Sequence, residues 1–216
     1  MILFNCFAMG AISDDMNGIF ESLKEAALTM QQGGGIGYDF STLRPEGAAV
    51  KGVGADASGA LSFMDAWDAM CRTIKSAGAR RGAMMGTMRY DHPDIETFID
   101  AKRDREKLRM FNLSMLVTDA FMAAVKTDND WDIRFNEAVY RTLPARALYD
   151  RIMRATYKTA EPGVIFIDWI NATDNLYSCE DIAATNPCSE QPLPPYGACL
   201  LGSINLAHFI MDAFTP

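Results

Sequence analysis

Asn186, Cys188 and Glu190 place an amide, a thiol and a carboxylate at alternate positions of one short stretch. In an extended segment, side chains two apart project to the same side. Pro187 disfavours the helical region for Asn186, so an extended or turn conformation is expected there. One face is therefore expected to carry a hydrogen-bonding group, a sulfur and a base. A hydrolytic cysteine needs a histidine partner, and the chain holds only His92 and His208, neither in a recognisable catalytic setting. A thiyl radical needs no histidine, because it abstracts a hydrogen atom. Glu190 beside it suits a general base, a role worth about 10²–10⁴ in rate. The plainer reading, a small buried cysteine, is disfavoured by the polar neighbours.

Cys6 and Cys199 each lie in an apolar, strand-like run. If those runs are neighbours, the two sulfurs form a redox pair; if not, they are core cysteines, and spacing alone leaves both open. No metal site is expected. There is no CxxC, and Cys179, Cys188 and Cys199 lack the short paired spacing of structural zinc. Cys71 is assigned to the apolar face of a helix, and Cys179 to a structural or incidental place. The glycine run 31–37 (QQGGGIG) lacks the Gly-Lys-Ser/Thr of a phosphate loop and follows a helix, so it reads as a helix stop. The loop 78–83 (GARRGA) offers two arginines able to grip a phosphate or a base face.

Alternating strands and helices must position these groups. Strands are expected over 2–9, 36–40, 83–88, 112–118, 131–135, 164–168 and the start of 197–206. Helices are expected over 15–32, 60–77, 93–102, 119–126 and 145–158, with a short one closing 197–206. The first helix takes Ser13 or Asp14 as its N-cap and turns Met16, Ile19, Phe20, Leu23, Ala27 and Met30 inward. Residues 170–195 read as a long loop bearing the reactive motif. No linker divides the chain, so residues 1–216 are taken as one α/β domain, layered or barrel-like.

Composition narrows the function classes. The 216 residues are 49% hydrophobic and carry a net charge of −8, which disfavours non-specific binding to nucleic acid polymers. No secretory signal or membrane span is visible, and the cysteine usage fits a reducing cytoplasm. The chain opens directly in an apolar run and stops at AFTP without polar caps, as expected of an internal piece of something longer.

Taken together, several stretches resemble the large catalytic chain of ribonucleotide reductase, most closely the adenosylcobalamin-dependent class II. They are Asn5-Cys6, 31–45 (QQGGGIGYDFSTLRP), 76–85 (SAGARRGAMM), 91–102 (DHPDIETFIDAK), 112–114 (NLS) and 186–206 (NPCSEQPLPPYGACLLGSINL). The resemblance implies the first half of a ten-stranded α/β barrel with the radical cysteine on a finger loop inside it. It implies Cys188 as the thiyl radical, Glu190 as base, Asn186 and Asn5 as substrate contacts, and Cys6 with Cys199 as the pair oxidised to a disulfide. For an allosteric deoxynucleotide it implies Asp14, Asp15, Met16, Arg44, Lys51 and Arg81. A homodimer through the first two helices, a remaining portion of the reductase, adenosylcobalamin and a thiol reductant such as thioredoxin complete the implied set. The rival reading is a non-catalytic regulatory fragment that keeps the effector loops.

Overall fold

The structure is a computed structural model that describes residues 3–50, 52, 54–74 and 82–210. Its centre is a curled α/β half barrel. Strands β1 (Cys6–Ala8), β2 (Gly35–Asp39), β3 (Met84–Arg89), β4 (Phe111–Val117) and β7 (Gly163–Phe166) run parallel in that order. The short β10 (Ala198–Cys199) adds antiparallel to the free edge of β1.

Helices make the crossovers that parallel pairing requires. These are α1 (Met16–Gln31), α2 (Ala60–Thr73), α3 (Ile95–Asp100) and the pair α4 (Asp119–Thr127) and α5 (Ala145–Thr159). Between α4 and α5 a hairpin intervenes, β5 (Asp130–Phe135) and β6 (Ala138–Pro144). After β7 come α6 (Ile167–Thr173) and a second hairpin, β8 (Ala184–Thr185) with β9 (Pro192–Leu193).

The sheet has two chemically different faces, set by strand alternation. Phe7, Ile36, Tyr38, Phe40, Met84, Met88, Phe111, Leu113, Met115 and Val117 point toward the helices and join the main core. Trp67 of α2 packs edge-on against Tyr38 and Phe40 at 5.9 and 5.6 Å, and Phe40 meets Phe111 at 5.7 Å. Pairs of this geometry contribute about 0.5–1.5 kcal/mol each beyond burial. The Tyr38 hydroxyl donates to the Ser22 carbonyl of α1 at 2.7 Å, tying that helix to the sheet.

The other face carries the glycines of β2, and the β8–β9 hairpin lies on it. A Cβ added to Gly37 would sit 1.8 Å from the Thr185 carbonyl oxygen, and one on Gly35 would sit 2.6 Å from Pro187. Thr87 Oγ1, which also contacts the Tyr38 carbonyl, donates to the Ala183 carbonyl at the hairpin root, 3.2 Å away. The glycine run thus does more than stop α1. Gly33, at φ +96°, ends the helix, while Gly35 and Gly37 belong to β2 and clear a track for another backbone.

Several expected elements shift. Among the described residues of the first run only Cys6–Ala8 form strand β1, with Cys6 the first residue in register with β2 and β10. Asp15, rather than Ser13 or Asp14, caps α1 by accepting from Gly18 N at 3.0 Å. Met16 and Phe20 are exposed, and the buried stripe is Ile19, Ser22, Ala26 and Met30. The second helix ends at Thr73, and the third begins at Ile95 after Pro93. The strand expected to reach residue 168 turns into α6 after Phe166. β6 went unread; the turn at Asn136 (φ +52°) that creates it is a left-handed position asparagine tolerates.

Replacing Gly37 by Ala forces a backbone clash and is expected to cost about 1–3 kcal/mol. Gly202, with nothing within 4 Å of an added Cβ, serves as control and should change by less than about 0.5 kcal/mol on the same substitution. Urea unfolding checks both. Amide exchange across 184–193 in the Gly37 variant should show the hairpin losing protection.

Candidate active site

The hairpin carries the reactive stretch over the amino-terminal end of the parallel strands, above Gly35. Of the extended and turn conformations expected at Asn186, the structure takes the turn. Asn186 N donates to the Gln191 carbonyl at 3.1 Å, and Gln191 N donates back to Asn186 Oδ1 at 3.1 Å. Ser189 takes a left-handed φ of +69°, and its N–H donates to the Asn186 carbonyl at 3.1 Å. Asn186 is consequently 0% exposed, whereas Cys188 and Glu190 are exposed at the tip. The three side chains do not share one strand face; a tight turn folds them back around one point.

Cys6 and Cys199 lie directly opposite each other in the antiparallel β1–β10 pair. Opposed residues in such pairs have Cα atoms about 4.5–5.5 Å apart, within the span a disulfide bridges. Both are free thiols, and Cys199 Sγ lies 3.5 Å from the Cys6 carbonyl oxygen. They share a small buried cluster with Ala8, Ala184 and Leu193, so the hairpin covers them from above.

Electrostatics link the pair to the tip. Burial, then the neighbouring Cys199 sulfur, push the Cys6 thiol up to about 11; Glu190 adds to the rise, and the Asn186 amide opposes it. Burial also raises the Cys188 thiol above its ordinary value, with Glu190 and Cys6 contributing in that order. Asn186 Nδ2 is buried without a hydrogen-bond partner among the described residues. It is near enough to favour a Cys6 thiolate but not in bonding geometry, which leaves an orphaned donor beside Cys6. Asn5 stands one residue before this cluster; its carbonyl accepts from Gly35 N at 2.8 Å and its N–H donates to the Cys199 carbonyl at 3.4 Å.

The expected effector residues form a separate group. Arg44 N and Nε donate to the Asp14 carboxylate at 3.1 and 2.9 Å, Nη2 donates to the Asp14 carbonyl at 2.9 Å, and Nη1 reaches the Ala49 carbonyl at 3.3 Å. These bonds fasten the loop after β2 to the start of α1, where Asp15 caps the helix and Met16 is exposed. Lys51 and Arg81 lie outside the described residues. Cys71 is buried, Cys179 exposed, and among the described residues no three His, Cys, Asp or Glu side chains gather as a metal site. No described helix is long and apolar enough to cross a membrane.

Sequence reasoning passed over the groups that seat the hairpin. Asn112 of β4 donates from Nδ2 to the Pro187 carbonyl at 2.7 Å, and Thr87 holds the root as described above. Their signal was positional: both are polar residues at inward positions of otherwise apolar strands.

A parallel half barrel whose inner face carries a cysteine-bearing hairpin, beside two opposed cysteines on adjoining strands, defines a protein of the α/β barrel class. The family model for the ribonucleotide reductase barrel domain matches residues 4–215, and the chain belongs to that family. It is 42% identical over 210 residues to a vitamin B12-dependent ribonucleoside-diphosphate reductase of Thermoplasma acidophilum, covering 96% of this chain and 27% of the relative. A protein of the same name from Mycobacterium tuberculosis is 41% identical over 215 residues, 98% of this chain and 31% of the relative. The ribonucleoside-diphosphate reductase large subunit of monkeypox virus is 25% identical over 241 residues. The chain thus spans under a third of the length of the curated relatives it matches.

The part of the thiolate absorbance that is lost in Cys6→Ser should titrate near pH 11. Glu190→Gln should move that titration down, and Asn186→Ala should move it up. The folded thiol holds its proton above the unfolded value of about 9. Its contribution to stability is therefore complete below about pH 9 and lost as pH rises through 11. Urea midpoints across that window check the sign.

Proposed function

We propose that this chain carries the reducing centre of a ribonucleotide reductase. The observation that supports the reading most is the gathering of Cys6, Cys199, Cys188, Glu190 and Asn186 at one end of the sheet. Cys188, as a thiyl radical, removes the hydrogen atom from C3′ of a ribonucleotide. Glu190 takes the proton of the 3′-hydroxyl, while Asn186 and Asn5 hold the sugar hydroxyls. The paired thiols Cys6 and Cys199 supply two electrons and two protons; the 2′-hydroxyl leaves as water, a disulfide forms, and Cys188 recovers its hydrogen atom. The raised ionisation of Cys6 and Cys188 favours this chemistry, because hydrogen-atom and proton donation require the protonated thiol.

Adenosylcobalamin is the proposed source of the radical, in line with the B12 dependence in the names of the relatives. The described residues do not enclose a corrin. The cavities at the hairpin root, bounded by Ala183 and Asp181, hold about 240 and 220 Å³, below the roughly 300–1,000 Å³ of pockets for drug-sized ligands. No residue of this chain is therefore assigned to holding it. Asp14, Asp15, Met16 and Arg44, with Lys51 and Arg81, are proposed to serve a deoxynucleotide effector. A homodimer, the rest of the reductase, a reductant such as thioredoxin and a cytoplasmic setting complete the proposal. A purely regulatory fragment would have no use for three converging thiols.

The test combines the chain with any co-encoded remainder, adenosylcobalamin, dithiothreitol and a ribonucleotide, and measures deoxyribonucleotide. Cys188→Ala should yield none, and Glu190→Gln should slow turnover about 10²–10⁴-fold. With external thiol omitted, the native protein should make one equivalent of product per centre and leave a Cys6–Cys199 disulfide detectable by peptide mapping. Full activity of Cys188→Ala would overturn the reading.

A further inference from the structure

The root of the hairpin is held by backbone packing on Gly37 and by Thr87, but its tip needs a separate anchor. Among the described residues, Asn112 is the one sheet side chain that hydrogen-bonds the main chain of the turn, donating to the Pro187 carbonyl at 2.7 Å. That carbonyl belongs to the peptide unit whose nitrogen is that of Cys188. A bond there fixes both the height of the tip above the sheet and the direction in which the Cys188 side chain leaves it. Pro187 itself rests on Gly35, which gives a contact but no directional constraint. Asn112 is exposed at the inward position of β4, so burial does not dictate an amide there. Its neighbours on the helix-facing side, Phe111 and Leu113, are buried core residues.

We propose that Asn112 is a positioning residue for Cys188: through the Pro187 carbonyl it sets where the thiol sits relative to Cys6 and Glu190. The amide is required as a donor. An ionised aspartate of the same shape would present an acceptor to a carbonyl oxygen and push the turn away, whereas a protonated one would donate and restore it. The catalytic meaning of the inference rests on the role proposed for Cys188; the tether itself does not.

The test reads thiol reactivity in the full chain and needs no turnover. Labelling by 2,2′-dithiodipyridine is followed for each cysteine by peptide mapping, with exposed Cys179 as the internal reference and buried Cys71 as the reporter of global opening. In the native chain Cys188 should react more slowly than Cys179, since burial, Glu190 and Cys6 disfavour its thiolate. Asn112→Ala should raise the Cys188/Cys179 ratio about fivefold, the value of one net hydrogen bond, with Cys71 still protected. Asn112→Asp should do the same near pH 8 and return toward the native ratio as pH falls through the ordinary aspartate range near about 4. An unchanged ratio in both variants, a pH-independent aspartate variant, or Cys71 reacting in step with Cys188 would overturn the tether. If the tether stands but Cys188→Ala still reduces ribonucleotides, it is the radical assignment that falls.

Discussion

Everything in this molecule depends on a stretch of sheet where side chains are missing. β2 presents hydrogen atoms at Gly35 and Gly37 on its inner face, and the β8–β9 backbone occupies the room they leave. A single methyl at Gly37 would overlap a main-chain oxygen that cannot swing aside. The same strand, one residue out of phase, sends Ile36, Tyr38 and Phe40 into the densest part of the core. One short segment thus meets two opposite demands, bulk on one side and vacancy on the other. The period of two along a strand lets it do so.

The hairpin then decides the electrostatics. By packing over Cys6 and Cys199 it leaves the first half-buried and the second buried, and by bending at Ser189 it brings Glu190 near the Cys6 and Cys188 thiols. Desolvation and a nearby negative charge act in the same direction on a thiol, since both penalise the thiolate. A hydrolytic cysteine needs the reverse, a neighbour that favours the anion. The shift at Cys6 and Cys188 runs the opposite way, toward the protonated thiol. Asn186 is the counterweight: a buried donor with no bonded partner among the described residues carries a desolvation cost that a bound hydroxyl would relieve.

Much of the frame was legible in the residues. The parallel strands follow from short apolar runs separated by helix-length amphipathic segments, and most bounds shifted by only a few residues. The turn at 186–191 was legible only as one of two readings, because alternation of residue types also mimics a strand where Ser189 in fact reverses the chain. The inward rotation of α1 was misjudged because Met16 and Phe20 are as apolar as the residues that are buried, and hydropathy alone cannot choose between two apolar stripes. Asn112 and Thr87 stayed silent for a different reason: a single hydrogen bond across the barrel joins residues about 75 and 96 positions apart, and no local pattern encodes such a partner.

The pairing of β1 with β10 joins residues 6 and 199, so the two opposed cysteines stand 193 positions apart in sequence. Closing so long a loop costs little more than closing one half its size, because the entropy grows only with the logarithm of length. It does impose an order in time. During synthesis the parallel strands and their helices leave the ribosome first, while the sixth residue waits with an unpaired edge. Its partner strand emerges 193 residues later, and until then Cys6 lacks the Cys199 sulfur that lies opposite it in the folded sheet.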